Sequence, residues 1–511
     1  MDDLIRHDGR TSMADIGGRD FRPDIWPVSL RKSPEPDMAV VLSSCPSSSA
    51  RLIRHGTPMD ALNAFFSTPA IRAIWTDQAV IAAMVRFEAE LAAAQRDCGV
   101  IPAEAAAAII DTCSSFSLDA DKLAADARVA GTMAIPLVKM LKAAVARRDE
   151  GAATYVHYGS TSQDLADTAM VTLARQSLDL LRAELVRLGD ALATQVEAHR
   201  RTPLLGRTLI QPAAPVTFGW KVAGWLDAAG RSSVALARAG GEACTLQFGG
   251  ANGTLATHYG EGQRVARVLA DRLGLRVPAI SWQGGRDRLA RLGSELAILC
   301  GALGKIGRDI SLLMQAEVAE AFEPAGEGRG GSSAMPHKRN PVSSMYLMDA
   351  AYRAPALASI LAGELASEHE RGLGTWPNSL PVLADLFSLA ASGIAAAVDI
   401  AEGMRVDAQA MQANIDRLYG VVYSEGISLR LSALLGPARA QRIVGQVCEQ
   451  AISRRTPVAE LLKQIPEVTA VLGAADIDTL AGPQPQIAAC QPMCSAVLYQ
   501  WQEQKNLIQE D

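Results

Sequence analysis

The stretch that decides the fold runs from Leu289 to Phe322, LARLGSELAILCGALGKIGRDISLLMQAEVAEAF. It is rich in leucine and alanine and contains no proline. Asp164 to Glu197 and Thr217 to Arg238 share that character. Helices of such length do not fit inside a compact globule, so the three stretches are expected to lie side by side in an extended bundle. Composition points the same way. The chain is 49% hydrophobic but only 5% aromatic, and alanine-rich helices with few large rings pack closely against one another. The predicted fold class is all-α.

Working outward, Ile71 to Cys98 reads as one more helix, with Ile74, Ile81, Met84, Val85 and Leu91 at helical spacing and Gly99 and Pro102 ending it. At 511 residues the chain exceeds one ordinary core. Three helical domains are expected, at 57–168, 169–402 and 403–511, the middle one being the long-helix bundle. Residues 1–56 read as a poorly ordered extension, with Pro23, Pro27, Pro34, Pro36 and a serine-rich run from Ser43 to Ser49. Arg51, Arg54 and those serines would suit a transit peptide, but Asp2, Asp3, Asp8, Asp15 and Asp20 oppose it.

A formal net charge of −6 gives no global basic surface for nucleic acid. No run of about 18 uninterrupted apolar residues is present to span a membrane. The eight cysteines lack zinc-ligand spacing, since the close pair Cys490 and Cys494 has no second pair beside it. Reduced thiols in a cytoplasmic protein acting on a small molecule, without metal or nucleotide cofactor, are the expectation.

Chemistry belongs in the breaks between long helices, at Pro203 to Pro215, Gly240 to Gly262 and Glu323 to Pro341, where glycine, proline and polar residues replace the apolar pattern. The third break holds Gly331-Ser332-Ser333-Ala334-Met335-Pro336-His337-Lys338-Arg339-Asn340-Pro341. This resembles the GSSxMPxKxNP signature of the fumarase/aspartase superfamily. Tyr155 to Asp164, with His157, Thr161, Ser162 and Gln163, looks like that superfamily's first signature region, and Gly206 to Pro215, with Thr208 and Gln211, like its second. Within the superfamily the bacterial 3-carboxy-cis,cis-muconate cycloisomerases are the most similar, over about Ala61 to Leu431. Gln247 to Ala251, Arg286 to Leu289 and Glu368 to Arg371 carry part of that likeness.

The resemblance implies a fumarase/aspartase-like fold and proton removal from a carbon next to a carboxylate, with Ser332 as the base. That step builds a second negative charge on the carboxylate, so preorganised cations and donors are needed. Lys338 and Asn340, at the mouth of a helix whose dipole adds to them, suit this. A serine alkoxide requires such a pocket, formed when a loop bearing Gly326, Gly328, Gly330 and Gly331 closes. His157, one of only seven histidines, stands as either a catalytic contact or a structural hydrogen-bond partner. Thr161, Ser162, Gln163, Thr208, Gln211, Ser333 and Met335 are expected around the substrate. Arg286, Arg353 and Arg371 are candidate carboxylate clamps, each equally able to brace the bundle through an ion pair.

Two departures bear on the substrate. Relatives that expel amines, such as adenylosuccinate lyase, have a proton-donating histidine in the second region where this chain has Leu209. A leucine cannot assist a basic leaving group, whereas one departing as a stable anion needs no assistance. Lactone opening and closing meets that condition, and so does nitrite loss from nitrosuccinate. After Arg371, the cycloisomerases continue Trp-x-Ala-Glu-Trp, but this chain has Trp376-Pro377-Asn378-Ser379-Leu380. Cycloisomerisation of 3-carboxymuconate is the leading expectation. Nitrosuccinate lyase is the alternative, followed by an adenylosuccinate-type lyase or a crystallin-like structural protein. Bundle geometry and resemblance together imply a homotetramer with each site shared by three subunits.

Overall fold

The computed structural model describes residues 64–510 except 333, 336 and 375. The extension at 1–56 and the candidate Ser333 lie outside the described residues.

Seven helices carry the argument, labelled α1 (Asp77–Asp97), α2 (Ser162–Ala198), α3 (Phe218–Ala243), α4 (Asp287–Leu313), α5 (Val342–Gly363), α6 (Ser379–Gly403) and α7 (Gln484–Glu510). At 1.5 Å per residue the 37 residues of α2 span about 55 Å. Helices α2 to α6 pack as the expected bundle: α4 lies against α3, α5 and α6, and α2 against α3 and α6. Small residues let the axes approach closely. A Cβ added at Gly304 would meet the Ala351 Cβ at 2.4 Å, and one at Gly189 would meet the Trp501 ring at 2.0 Å. Between residues 376 and 403 one helix is long and apolar enough to cross a membrane, but 67% of its apolar window is buried against its neighbours, which makes it a core helix.

The structure departs from the sequence reading at several helix ends. The helix expected from Ile71 breaks at Trp75 and Thr76. The hydroxyl of Thr76 accepts from the Ala79 amide and starts α1 afresh, leaving Pro69–Ile74 as a separate turn. The stretch expected to stay helical to Phe322 stops at Leu313. Ala319 turns to φ 55°, and Ala321–Phe322 becomes a short strand, β3, antiparallel to β4 (Arg405–Val406). The first break is a hairpin, β1 (Pro203–Thr208) and β2 (Gln211–Thr217), with Thr208 paired to Gln211. Beyond Met411 a second apolar cluster forms from Ile415 to Ile477. The 403–511 span is not one packing unit, because α7 returns to the bundle and buries Cys494, Trp501 and Ile508 in the main core.

Candidate active site

The first segment is a short loop held on all sides. Thr161 ends it in extended backbone, and α2 begins at Ser162, two residues earlier than expected. Asp164, fully buried, collects six donors. Gln247 Nε2 (2.9 Å), Gly249 N (3.1 Å) and Gln283 Nε2 (3.2 Å) reach Oδ1, while Gly250 N (2.8 Å), Thr161 N (3.1 Å) and Ser160 Oγ (3.4 Å) reach Oδ2. Burial pushes this carboxyl up, against the pull of the Gln247, Gly250, Gly249 and Thr161 bonds. Gly159, at φ 65°, passes over His258 so closely that a Cβ would meet its ring at 2.3 Å. His157 takes a left-handed φ of 60° and sets Nδ1 2.5 Å from Glu88 Oε1, a partner no sequence signal marked.

Arg371 joins this segment. Its guanidinium donates to Thr161 Oγ1 (2.7 Å), Ser162 Oγ (2.8 Å) and Gln163 Oε1 (3.2 Å), and lies 5.8 Å from the centre of the Trp376 ring. A fixed cation beside two hydroxyls at a helix N-terminus suits a carboxylate. Gln163, expected to face the substrate, is instead fully buried, with its amide donating to Asp167 and the Gln283 carbonyl. Of the two roles open to Arg286, the bracing one is filled. The side chain is 2% exposed, with Nη1 2.6 Å from Asp167, Nη2 2.8 Å from Ser379 Oγ and Nε 3.4 Å from Glu364. Arg353 lies exposed on α5, paired to Asp349 at 3.2 Å and over the Phe66 ring.

The second segment is the tip of the β1–β2 hairpin. Thr208 and Gln211 flank a two-residue turn in which Leu209 and Ile210 have φ of 51° and 67° and are 96% and 88% exposed. Such turns favour Asn-Gly, and a β-branched residue at positive φ is strained. The tip end of the hairpin is pinned by Arg207, next to Thr208, which forks onto the buried Glu320 at 2.8 Å through both terminal nitrogens.

The third segment is the loop between β3 and α5. Its stem is closed by the Gly331–Arg339 bridge and by the Asn340 amide donating to the Gly330 carbonyl at 2.8 Å. Gly330, at φ 59°, has no room for a side chain, since a Cβ would lie 2.3 Å from the Asn340 oxygen. In the tip, Ser332 Oγ accepts from the amides of Ala334 (3.3 Å) and Met335 (3.2 Å). Two backbone donors aimed at one hydroxyl oxygen are what an alkoxide requires. Lys338 and Met335 are exposed and Asn340 is half-buried. A cavity of ≈ 930 Å³ is lined by Arg329, His337, Lys338, Arg339, Asn340 and Arg405, with Glu323 the one acid among the described lining residues. The helix mouth expected to supply free donors is occupied. Glu323 accepts from the amides of Ser343 (2.9 Å) and Ser344 (2.6 Å) at the start of α5, so the positive charge here comes from side chains. Arg329 ties the loop to Asp399, Nη1 to Oδ1 at 2.8 Å.

Among the described residues, no hydrogen bond or ion pair joins any two of the three segments. No group of three or more His, Cys, Asp or Glu could hold a metal ion among them either.

The chain is similar to known proteins over most of its length. A family model described as Lyase matches residues 55–355. A 3-carboxy-cis,cis-muconate cycloisomerase of Pseudomonas aeruginosa is 44% identical over 421 residues, covering 82% of this chain and 92% of that protein. A nitrosuccinate lyase of Streptomyces davaonensis is 39% identical over 465 residues, covering 89% and 94%. The crystal structure of the 3-carboxy-cis,cis-muconate lactonizing enzyme from Pseudomonas putida superposes with a TM-score of 0.81 at 40% identity, covering 87% of this chain and 99% of that one.

Proposed function

Given that the chain belongs to the fumarase/aspartase superfamily of lyases, we propose that it interconverts 3-carboxy-cis,cis-muconate and its carboxymuconolactone. In the ring-opening direction Ser332, as alkoxide, takes the proton from the carbon next to a carboxylate. The neighbouring ring C–O bond breaks and its oxygen leaves with the electron pair as a carboxylate. Closure reverses each step. The observation that carries a stable-anion leaving group, and so excludes amine expulsion, is Leu209 at the hairpin tip, 96% exposed, where amine-expelling relatives hold a proton donor. A leaving carboxylate needs no proton. Lys338 and Asn340 meet the charge that develops on the activated carboxylate, and Arg371 with Thr161 and Ser162 holds another carboxylate of the substrate. The relatives bearing the cycloisomerase name support it at 36 to 44% identity.

A second reading, elimination of nitrite from nitrosuccinate, is favoured by one feature. The chain departs from the cycloisomerase pattern at Trp376-Pro377-Asn378, beside Arg371, where the substrate's far end would lie. Incubation with 3-carboxymuconate, nitrosuccinate and adenylosuccinate, following ultraviolet absorbance and nitrite, separates the readings. Turnover of 3-carboxymuconate alone is expected, and nitrite release without it would replace the first reading by the second.

The reading includes a homotetramer whose sites draw on three subunits. Met345, Tyr352 and Ile360 expose an apolar stripe along α5, at 49%, 68% and 40%, and Ile298 and Leu312 do so on α4. Burial against identical copies would cover both. A reducing, cytoplasmic setting goes with it, as each of the described cysteines is free.

A further inference from the structure

Helix α1 turns two side chains, seven residues apart and so on one face, toward the His157 loop. Gln95, fully buried, donates from Nε2 to the Tyr158 carbonyl at 2.7 Å. Glu88, 1% exposed, places Oε1 against His157 Nδ1, and its other oxygen, Oε2, is buried with no partner. A carboxylate is costly in such a place unless a cation or donor compensates it. The nearest thiol offers nothing, since burial pushes Cys113 up to about 12 and keeps it neutral. The described hydrogen-bond partner of Glu88 is His157, which holds a left-handed backbone conformation that side chains rarely adopt. An apolar pair would pack this position without strain or buried charge. The arrangement makes sense when the histidine's other nitrogen has work to do.

We propose that Glu88 is a positioning residue for the reaction: it accepts the Nδ1–H of His157, fixes the ring's tautomer and orientation, and leaves Nε2 to meet the substrate. The proposal rests on the reading above. As imidazolium, His157 donates its Nε2–H as a hydrogen bond to the carboxylate oxygen departing from the opened lactone. That oxygen takes the C–O electron pair, and the proton stays on the ring. Burial lowers the His157 titration. Glu88, by charge and hydrogen bond, and Asp164 from α2 raise it, Lys142 from the Ala134–Ala146 helix lowers it, and the net direction is up. The donating form therefore persists to higher pH than in a free imidazole and is lost as pH rises through the raised value.

The test is Glu88→Gln in the full chain, which keeps the shape and removes the charge. The His157 titration is followed by NMR of histidine-labelled protein, with His157→Gln assigning the signal, and kcat and KM are measured against pH with 3-carboxymuconate. The expected result is a fall of roughly tenfold in the proton affinity of His157, the size of one close charge pair. The high-pH limb of kcat should move down equally, and KM should change little. Glu88→Asp, which keeps the charge but withdraws it by one methylene, should retain a raised titration while losing kcat, and it serves if the glutamine variant fails to fold. An unchanged His157 titration in the glutamine variant, or, where only the aspartate variant folds, an unchanged kcat, would overturn the proposal. If the wild type does not turn over 3-carboxymuconate, the functional reading falls, and the NMR titration still decides the role of Glu88.

Discussion

Replacing Asp164 by asparagine should be among the most damaging single-atom changes in this chain. Its two oxygens each accept three bonds, from Gln247, Gly249 and Gln283 on one side and from Gly250, Thr161 and Ser160 on the other. A carboxamide serves one side only. Whichever way it turns, its NH2 faces three donors in a place with no water contact. A buried donor left without a partner costs roughly 1–3 kcal/mol. The Ser160 hydroxyl can rotate away, which leaves two amides unpaired and brings the expected loss to about 2–6 kcal/mol, reaching the whole stability of a marginal domain. The bonds also tie the start of α2 to the 247–250 loop, so turnover should fall with stability. Denaturant midpoints followed by circular dichroism measure the first, and kcat of the remaining folded protein the second. Ser160→Ala is the control, since it removes only the 3.4 Å contact and should stay within about 1 kcal/mol of wild type. An asparagine variant equally close to wild type would show that the donors relax freely, and the account of this segment as rigidly held would be wrong.

Arg286→Met leaves Asp167 and Glu364 buried without their counter-ion and should lower the unfolding free energy, measured by denaturant titration, by about 3–5 kcal/mol. A loss under about 1 kcal/mol would return Arg286 to the list of substrate clamps. At the hairpin tip, Leu209→Asn together with Ile210→Gly supplies residues suited to φ of 51° and 67°. Melting should show a gain of about 1–2 kcal/mol while kcat/KM falls, because the apolar tip is lost. Unchanged kcat/KM would place the tip away from the substrate.

How much of this was legible depended on whether the cause lay along the chain or across it. The bundle helices were readable because leucine- and alanine-rich runs between glycine and proline breaks are local signals. The end of α4 was not. Val318, Ala319, Ala321 and Phe322 continue an apolar pattern, but the chain leaves the helix because Glu320 is claimed by Arg207 and Asn414 and Phe322 pairs with Arg405. Those partners lie about eighty to more than a hundred residues away. The restart at Thr76 was within reach, since threonine followed by an aspartate is a helix-start signal. The signature segments disclosed Ser332, Lys338 and His157 as residue types, but not which side chains turn inward. Gln163 meets Arg371 as Thr161 and Ser162 do, yet its side chain is fully buried and its amide nitrogen is spent on Asp167 and the Gln283 carbonyl. Glu88 had no signal at all. In Arg86-Phe87-Glu88 it reads as one more charge on an amphipathic helix, and only the fold brings His157 to it.

Whether the three segments meet between subunits can be decided by mixing two inactive proteins. His157 stands on the loop before α2, Thr208 on a hairpin and Ser332 on the loop before α5, and within one chain no described bond joins them. Apolar stripes on α4 and α5 leave bundle surface for other copies to cover. If a site takes its His157 segment from one subunit, Thr208 from a second and Ser332 from a third, a lesion in His157 and a lesion in Ser332 reside in different chains of that site. His157→Ala and Ser332→Ala should each be nearly inactive alone, since general acid–base groups contribute 10²–10⁴-fold. Dissociated, mixed in equal amounts and reassembled at random, they give each site an even chance of an intact His157 and, independently, of an intact Ser332. About a quarter of the sites should then carry neither lesion, and activity should recover to about a quarter of wild type. Varying the ratio should move recovery along the product of the two fractions, with its maximum at equal amounts. A site built within one chain predicts no recovery at any ratio, because every chain carries its own lesion. A monomer by light scattering, or mixed tetramers without activity, would refute the shared site.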